Sequence, residues 1–206
     1  MRLGPSLPRA FLARPSTVVA PELLGRVLVR VLPDGRRLAA RLVEVEAYAP
    51  DDAASHAYRG RTPRNDVMFG PAGRLYVYFT YGMHFCANVV TGRDGEGSAV
   101  LLRAAEPLEG MEAMAANRGV DALRLLCSGP ARLAQALGIE RPDNGADLVR
   151  GRGLQLRAGE PVPPARIGRS TRVGLRVGIQ PRWRYFERGS PFVSPGRPSA
   201  PRAVTG

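Results

Sequence analysis

The sequence predicts a single compact domain of mixed α/β (α+β) class, with a curved, mainly antiparallel sheet, short surrounding helices and a protruding β-hairpin. Its 206 residues match the roughly 100–200 residues of one domain. The 24 glycines and 19 prolines indicate frequent turns and disfavour a long helical bundle. Two pairs of alternating segments, each joined by turn residues, predict hairpins. We therefore expect one domain over residues 1–206, with residues 194–206 too polar to pack and forming a mobile tail.

The first half of the chain predicts one helix, two hairpins and a long loop. Ser16 and Thr17 are candidate caps of a helix that runs through residue 24 and ends at Gly25. Residues 51–73 lack periodicity, and loops of this length within a compact domain are usually functional. Strands are predicted over residues 26–32, 36–48, 74–81, 84–90 and 98–104.

The second half predicts two helices and the remaining short strands. Helix-forming composition covers residues 107–117 and 130–137, and Gly138 ends the second helix. Short strands are predicted over residues 154–157, 173–179 and 184–187.

The charged residues exclude one class of chemistry and favour one class of partner. All 30 cationic residues are arginine, so mechanisms that need a lysine amine, including Schiff-base formation, are excluded. The net charge of +12 indicates an anionic partner, and arginine suits phosphate contacts and stacking on bases. Nucleic acid is therefore the first expectation.

The cysteines, the histidines and the hydropathy of the chain bear on metal binding and on cellular location. Two cysteines and two histidines have no recognisable zinc-site spacing, so we expect a metal-free protein. No stretch approaches the ~20 apolar residues of a membrane span, and the basic N-terminus is broken by prolines. The expectation is a cytoplasmic protein without membrane contact.

Three motifs carry candidate chemistry. In VEVEAY, Glu44, Glu46 and Tyr48 share one strand face, which would ordinarily be solvated. In LYVYFTY, tyrosines would ordinarily pack the sheet, but Tyr81 falls at a hairpin tip, where an exposed aromatic suits insertion into a base stack. Between them, RGRTPRN places arginines around glycine and proline, a pattern that suits phosphate contact.

Six motifs in order resemble the alkyladenine (3-methyladenine) DNA glycosylase family, as a prokaryotic-type member. They are VEVEAY, TPRNDVMF, LYVYFTYGMHFCANV, AVLLRAAEPLEGM, LCSGPARLAQAL and RGSPFVS. The resemblance covers roughly residues 11–194. It implies a monofunctional, cofactor-free monomer of base excision repair that flips damaged purines from duplex DNA and hydrolyses the N-glycosidic bond with water. The implied substrates are 3-methyladenine and 7-methylguanine, with hypoxanthine and ethenoadenine as neutral candidates, and a bacterial member would act at the nucleoid.

The resemblance also implies roles for individual residues. Glu46 would be the general base for the attacking water, and Arg103 would orient that water and the glutamate. The base pocket would be formed by Tyr48, His56, Tyr78 and Asn88. Tyr81, with Met83 beside it, would enter the DNA. Phosphates would be contacted by Arg61, Arg64 and Arg132.

Two other interpretations remain open from the residues alone. The chain could be a non-catalytic basic RNA- or DNA-binding module, in which the tyrosines stack on bases and Glu46 is an ordinary strand residue. It could also bind damaged DNA without turnover. Base release by the wild type and by a Glu46→Gln variant separates an enzyme from both alternatives. Binding of an abasic-site analogue by both forms would indicate a damage-binding protein without turnover.

Overall fold

The architecture is an eight-stranded antiparallel sheet, seen in a computed structural model that describes residues 3–80 and 84–200. Six strands follow the order β3-β4-β5-β2-β1-β6, while β8 pairs with β2 and with β7. Strands β1 to β8 are, in order, Val27–Val31, Arg37–Tyr48, Leu75–Thr80, His84–Thr91, Ser98–Glu109, Leu154–Arg157, Ile167–Ser170 and Arg184–Glu187.

The centre of the sheet is the pair of twelve-residue strands β2 and β5. Val45 and Leu102 are paired across it and are fully buried in the main hydrophobic core. Because side chains alternate along a strand, Glu46 faces away from this core, toward the cavity described below. The long β2–β5 ladder thus separates a packed face from a functional one.

Five short helices pack around the sheet. Helices α1 to α5 are Arg9–Leu12, Ser16–Leu23, Met111–Arg118, Leu123–Leu126 and Pro130–Ala136. Short 3₁₀ helices cover Asp66–Phe69, Arg141–Asp143 and Pro164–Arg166. Helix α2 packs on β2, and α5 packs on β4 and β5. In the described part of the chain, no helix has the length and apolarity needed to cross a membrane.

The predicted fold class and most predicted elements are confirmed. Both hairpins form, since β1 pairs with β2 and β3 pairs with β4, each antiparallel. Helix α2 begins at Ser16, as predicted, but neither Ser16 nor Thr17 caps it: the N-cap is Pro15, and no side chain makes a capping hydrogen bond. The Ser16 hydroxyl is buried without a hydrogen-bond partner among the described residues.

One predicted boundary and one predicted strand were wrong. The strand predicted over residues 98–104 continues to Glu109, because Pro107 stays paired with Ala40 of β2, and α3 starts only at Met111. The strand predicted over residues 173–179 does not form. Val173 makes only an isolated bridge to Pro198, and its backbone N–H donates to a carboxylate instead.

The predicted polar tail packs over the part that the structure describes. Ser194 is buried, and both its backbone N–H and its hydroxyl donate to Glu44. The backbone N–H of Ser199 donates to the carbonyl of Arg172. Hydrogen bonds to a buried carboxylate therefore replace the apolar contacts that this segment lacks. Residues 201–206 lie outside the described residues.

Gly25 and Gly35 have the same backbone conformation but different surroundings. Both have φ near +85°, where a side chain costs about 1–2 kcal/mol. A Cβ at Gly35 meets open space, whereas one at Gly25 meets the carbonyl oxygen of Glu160. In urea unfolding followed by circular dichroism, Gly25→Ala should lose about 1–3 kcal/mol more than Gly35→Ala. Equal losses would contradict the tight approach at Gly25.

Candidate active site

A cavity of about 390 Å³ opens on the polar face of the sheet. Strand register places Tyr76 opposite Asn88, Asn88 opposite Leu101, and Leu101 opposite Glu46. Directly paired residues share a face, so these four side chains form one row across β3, β4, β5 and β2. All four line the cavity. The hairpins predicted from sequence thus bring the acidic and the tyrosine motif together.

Arg103 lies on the same face of β5 as Leu101, which pairs with Glu46, because side chains alternate along a strand. Glu44 pairs with Ala104, but Val45 pairs with Leu102, which leaves Arg103 in a bulge. A β-bulge re-aims a side chain. Its guanidinium lies between the two glutamates: Nε donates to Glu44 at 2.8 Å, and Nη1 lies 3.3 Å from Glu46 Oε1. The contact predicted between Arg103 and Glu46 is therefore present.

Glu46 is fully buried and held by three groups. Its Oε1 accepts the backbone N–H of Val173 at 2.7 Å and also faces Arg103. Its Oε2 accepts the hydroxyl of Tyr48 at 2.9 Å. A carboxylate has about four lone-pair positions, so these contacts leave acceptor capacity on Oε2.

The protonation of Glu46 is set by opposing effects. Burial raises its pKa, and nearby Glu44 adds to this. Arg103 and the hydrogen bonds from Val173 and Tyr48 lower the pKa, but the balance remains above the ordinary value. Arg103 therefore limits the increase without reversing it, so Glu46 is a stronger base than an exposed glutamate.

Glu44 forms a second layer behind the cavity. It accepts from the Nε atoms of Arg103 and Arg184, at 2.8 and 2.7 Å, and from Ser194. Burial would raise the pKa of Glu44, but the two arginines outweigh it and hold the pKa below its ordinary value. Glu44 therefore stays ionised and fixes the orientation of Arg103.

Aromatic rings form the walls of the cavity. The rings of Tyr76 and Tyr78 stack with centroids 5.7 Å apart, and His56 meets Tyr78 edge-on at 4.5 Å. His56 Nδ1 lies 3.0 Å from the Tyr76 hydroxyl. Tyr48 lines the cavity near Glu46, and burial raises its pKa well above the ordinary value, so its hydroxyl keeps the proton that it donates to Glu46.

The structure therefore brings together six of the residues predicted for the site. Glu46, Arg103, Tyr48, His56, Tyr78 and Asn88 all line the cavity. The Asn88 amide is oriented by a hydrogen bond from Nδ2 to the Tyr76 carbonyl, at 3.1 Å. Burial and Arg64 lower the pKa of His56, which favours a neutral imidazole. The catalytic and base-binding roles of these residues remain predictions.

The predicted phosphate contacts occupy different places around the site. Arg61 is exposed and forms an ion pair with Asp66. Arg64 is exposed and close enough to His56 to affect its pKa. Arg132 is half-buried on α5 and donates to the Ser128 hydroxyl at 3.2 Å. The two residues predicted to enter DNA, Tyr81 and Met83, lie outside the described residues.

Sequence reasoning missed several residues that complete the site. Val173 was placed in a strand, so no pattern pointed to its N–H. Arg184 was also placed in a strand, without a role, and Ser194 was placed in the tail. One signal was available, because RGSPFVS, the last motif of the resemblance, ends at Ser194. No group of three or more potential metal ligands occurs within residues 3–80 and 84–200.

A simple nucleic-acid-binding surface has no need of a buried, hydrogen-bonded carboxylate beneath its aromatic rings. In a chain of net charge +12, a buried carboxylate in an aromatic cavity favours an enzyme that acts on nucleic acid. The sequence profile of the methylpurine-DNA glycosylase family matches residues 10–191. The chain belongs to this family and is a DNA glycosylase.

Several bacterial relatives support the assignment. The chain is 51% identical to a protein of Burkholderia lata over 93% of this chain and 92% of the relative. It is 51% identical to one of Streptomyces avermitilis over 95% and 94%, and 48% identical to one of Carboxydothermus hydrogenoformans over 91% and 98%. All three bear the name "Putative 3-methyladenine DNA glycosylase".

The Tyr48 hydroxyl provides a test of the Glu46 environment. Tyr48→Phe removes a hydrogen bond that lowers the pKa of Glu46, so this pKa should rise further above its ordinary value. Carbon-13 NMR titration of the glutamate carboxyls would measure it. Tyr185→Phe is the control, since that hydroxyl lies 3.4 Å from the Thr17 carbonyl instead. An unchanged Glu46 titration in Tyr48→Phe would contradict the geometry.

Proposed function

We propose that this enzyme hydrolyses the N-glycosidic bond of alkylated purines in duplex DNA, with 3-methyladenine and 7-methylguanine as substrates. The observation that carries the proposal is the Glu46 carboxylate, buried beside an aromatic cavity yet retaining a lone pair on Oε2. That oxygen can accept a proton from a water molecule attacking the anomeric carbon. Because the chain contains no lysine, water rather than a lysine amine is the nucleophile.

The depth of the site supports base flipping as part of this proposal. Glu46 has no solvent exposure, so a sugar within a stacked duplex cannot approach it. A purine swung out of the stack would lie in the cavity against Tyr48 and Tyr78, with His56 and Asn88 at its edge. Tyr81, with Met83 beside it, would fill the space left in the duplex, while Arg61, Arg64 and Arg132 would hold phosphates.

Alkylation at N3 or N7 makes a purine cationic, and the cavity suits such a base. Aromatic faces attract cations, and the Glu44 and Glu46 carboxylates balance the charges of Arg103 and Arg184. The cavity therefore does not repel a cationic base despite the net charge of the chain. Neutral lesions such as hypoxanthine and ethenoadenine would depend on shape and on hydrogen bonds to His56 and Asn88. Acting on DNA would place the enzyme in the cytoplasm, at the nucleoid in a bacterium, and we propose that it acts there as a monomer.

Glu46→Gln tests the chemical step. Release of 3-methyladenine from a duplex oligonucleotide, measured under single-turnover conditions, should fall about 10²–10⁴-fold, the usual contribution of a general base. Binding of the same duplex should persist, because the aromatic walls remain.

The matched control for Glu46→Gln is Glu106→Gln on the same sheet, which removes a half-buried carboxylate that pairs with Arg41. This control should keep wild-type base release. No release by the wild type would favour a non-catalytic DNA- or RNA-binding module, and equal release by wild type and Glu46→Gln would exclude Glu46 as the base.

The pH dependence of base release tests the Glu46 carboxylate without a substitution. Only ionised Glu46 can accept a proton, so base release should decline as pH falls through its folded pKa. Because burial raises this pKa, the acid limb should lie above pH 4.5, the ordinary value. His56 also titrates in this region, so the limb should persist in His56→Gln and disappear from the residual rate of Glu46→Gln. A limb at or below pH 4.5 would contradict the assignment.

A further inference from the structure

Arg172 is a fully buried arginine directly behind the base cavity. Its two Nη atoms bind the carbonyl of Ala47 at 3.0 Å, the carbonyl of Gly178 at 2.8 Å and both carboxylate oxygens of Asp52. A guanidinium has four Nη protons, and these four contacts use all of them. Nothing in the sequence patterns singled out Arg172 or Asp52.

The contacts of Arg172 converge on the two residues that matter most to the proposed reaction. Ala47, whose carbonyl it holds, lies between Glu46 and Tyr48 in β2. The guanidinium carbon lies 4.6 Å from the centroid of the Tyr48 ring, within cation–π range. Val173, the next residue along the chain, donates the backbone N–H that holds Glu46 Oε1. The Arg172 side chain thus fixes the Tyr48 ring, which forms a wall of the cavity, and the Val173 N–H that donates to the Glu46 carboxylate.

Asp52 matters for charge as well as for geometry. An unpaired guanidinium behind Tyr48 would repel a cationic purine stacked on its other face. The bidentate Asp52 carboxylate neutralises it, and a backbone N–H from Ala54 holds Asp52 in place at 3.0 Å. The ring is therefore supported by a cation without presenting net charge to the cavity.

We propose that Arg172, with Asp52 as its counterion, is a positioning residue for base excision that aligns the Tyr48 ring and the Val173 N–H with Glu46. This inference rests on the proposed role of Glu46 as the base. Arg172 does not line the cavity, so it acts through Tyr48 and Val173. The alternative is a buried ion pair that contributes to stability alone.

The test compares two bidentate Arg–Asp pairs of this chain. Arg172→Lys keeps the charge but cannot hold three acceptor groups in one plane. Arg30→Lys makes the same change in the partly buried pair with Asp143; Arg30 lies in β1, which contributes no residue to the cavity lining. Each variant is assayed for release of 3-methyladenine from a duplex oligonucleotide across a range of pH. Thermal unfolding and the emission of Trp183 monitor the fold; the Trp183 ring lies 5.3 Å from Arg172.

Arg172→Lys should slow single-turnover release about 100-fold, the effect of a misplaced reacting group, and should shift the acid limb to higher pH because the Val173 hydrogen bond weakens. Arg30→Lys should retain the wild-type rate and pH profile. Asp52→Asn, which leaves the arginine in place, should also slow release, and it serves if Arg172→Lys does not fold.

A wild-type rate and an unmoved acid limb in folded Arg172→Lys or Asp52→Asn would overturn the inference and leave a purely structural ion pair. Failure of the proposed function gives a different pattern. In that case the wild type releases no base, or Glu46→Gln matches it, whatever Arg172 variants do.

Discussion

Two carboxylates of one strand lie on the same buried face, and this arrangement constrains the rest of the site. Glu44 and Glu46 are both without solvent exposure, and such charges are tolerated only when donors compensate for lost water. Arg103 lies between them and contacts both. Arg103 shares a face of β5 with Leu101, the partner of Glu46, and the β2–β5 register is irregular at this position. The tail and the segment after β7 add backbone N–H donors, from Ser194 to Glu44 and from Val173 to Glu46.

The surroundings of the two glutamates shift their pKa values in opposite directions. Two arginines and Ser194 hold the pKa of Glu44 below its ordinary value, whereas Glu46 shares one arginine and keeps a raised pKa. Pairs of titratable groups with diverging environments commonly have distinct roles in an enzyme. Here the ionised Glu44 orients Arg103, and the more basic Glu46 faces the cavity. A single strand therefore carries one carboxylate that orients Arg103 and one that lines the cavity, for which we propose the reactive role.

The sequence predicted the local elements well because turn residues and alternation are local signals. It identified both hairpins and placed the glutamates and tyrosines on consistent faces of their strands. The sequence did not predict the structure of segments that depend on partners distant in the chain. Val173 leaves the sheet because its N–H is taken by Glu46, 127 residues earlier, and Ser194 is buried because Glu44, 150 residues away, needs donors. The extension of β5 to Glu109 likewise depends on its pairing with β2.

The charge distribution of the molecule meets two opposing requirements, one at the surface and one in the cavity. Binding DNA favours a strongly positive chain, whereas a cationic purine would be repelled by a positive pocket. The structure separates the two in space, since Arg61 and Arg64 are exposed on the loop after His56 while the buried guanidiniums are matched by Glu44, Glu46 and Asp52. A net charge of +12 therefore surrounds a cavity whose own charges balance. Because water and salt screen exposed charges over about 10 Å, exposed arginines would attract phosphate without repelling a base proposed to bind in the buried cavity.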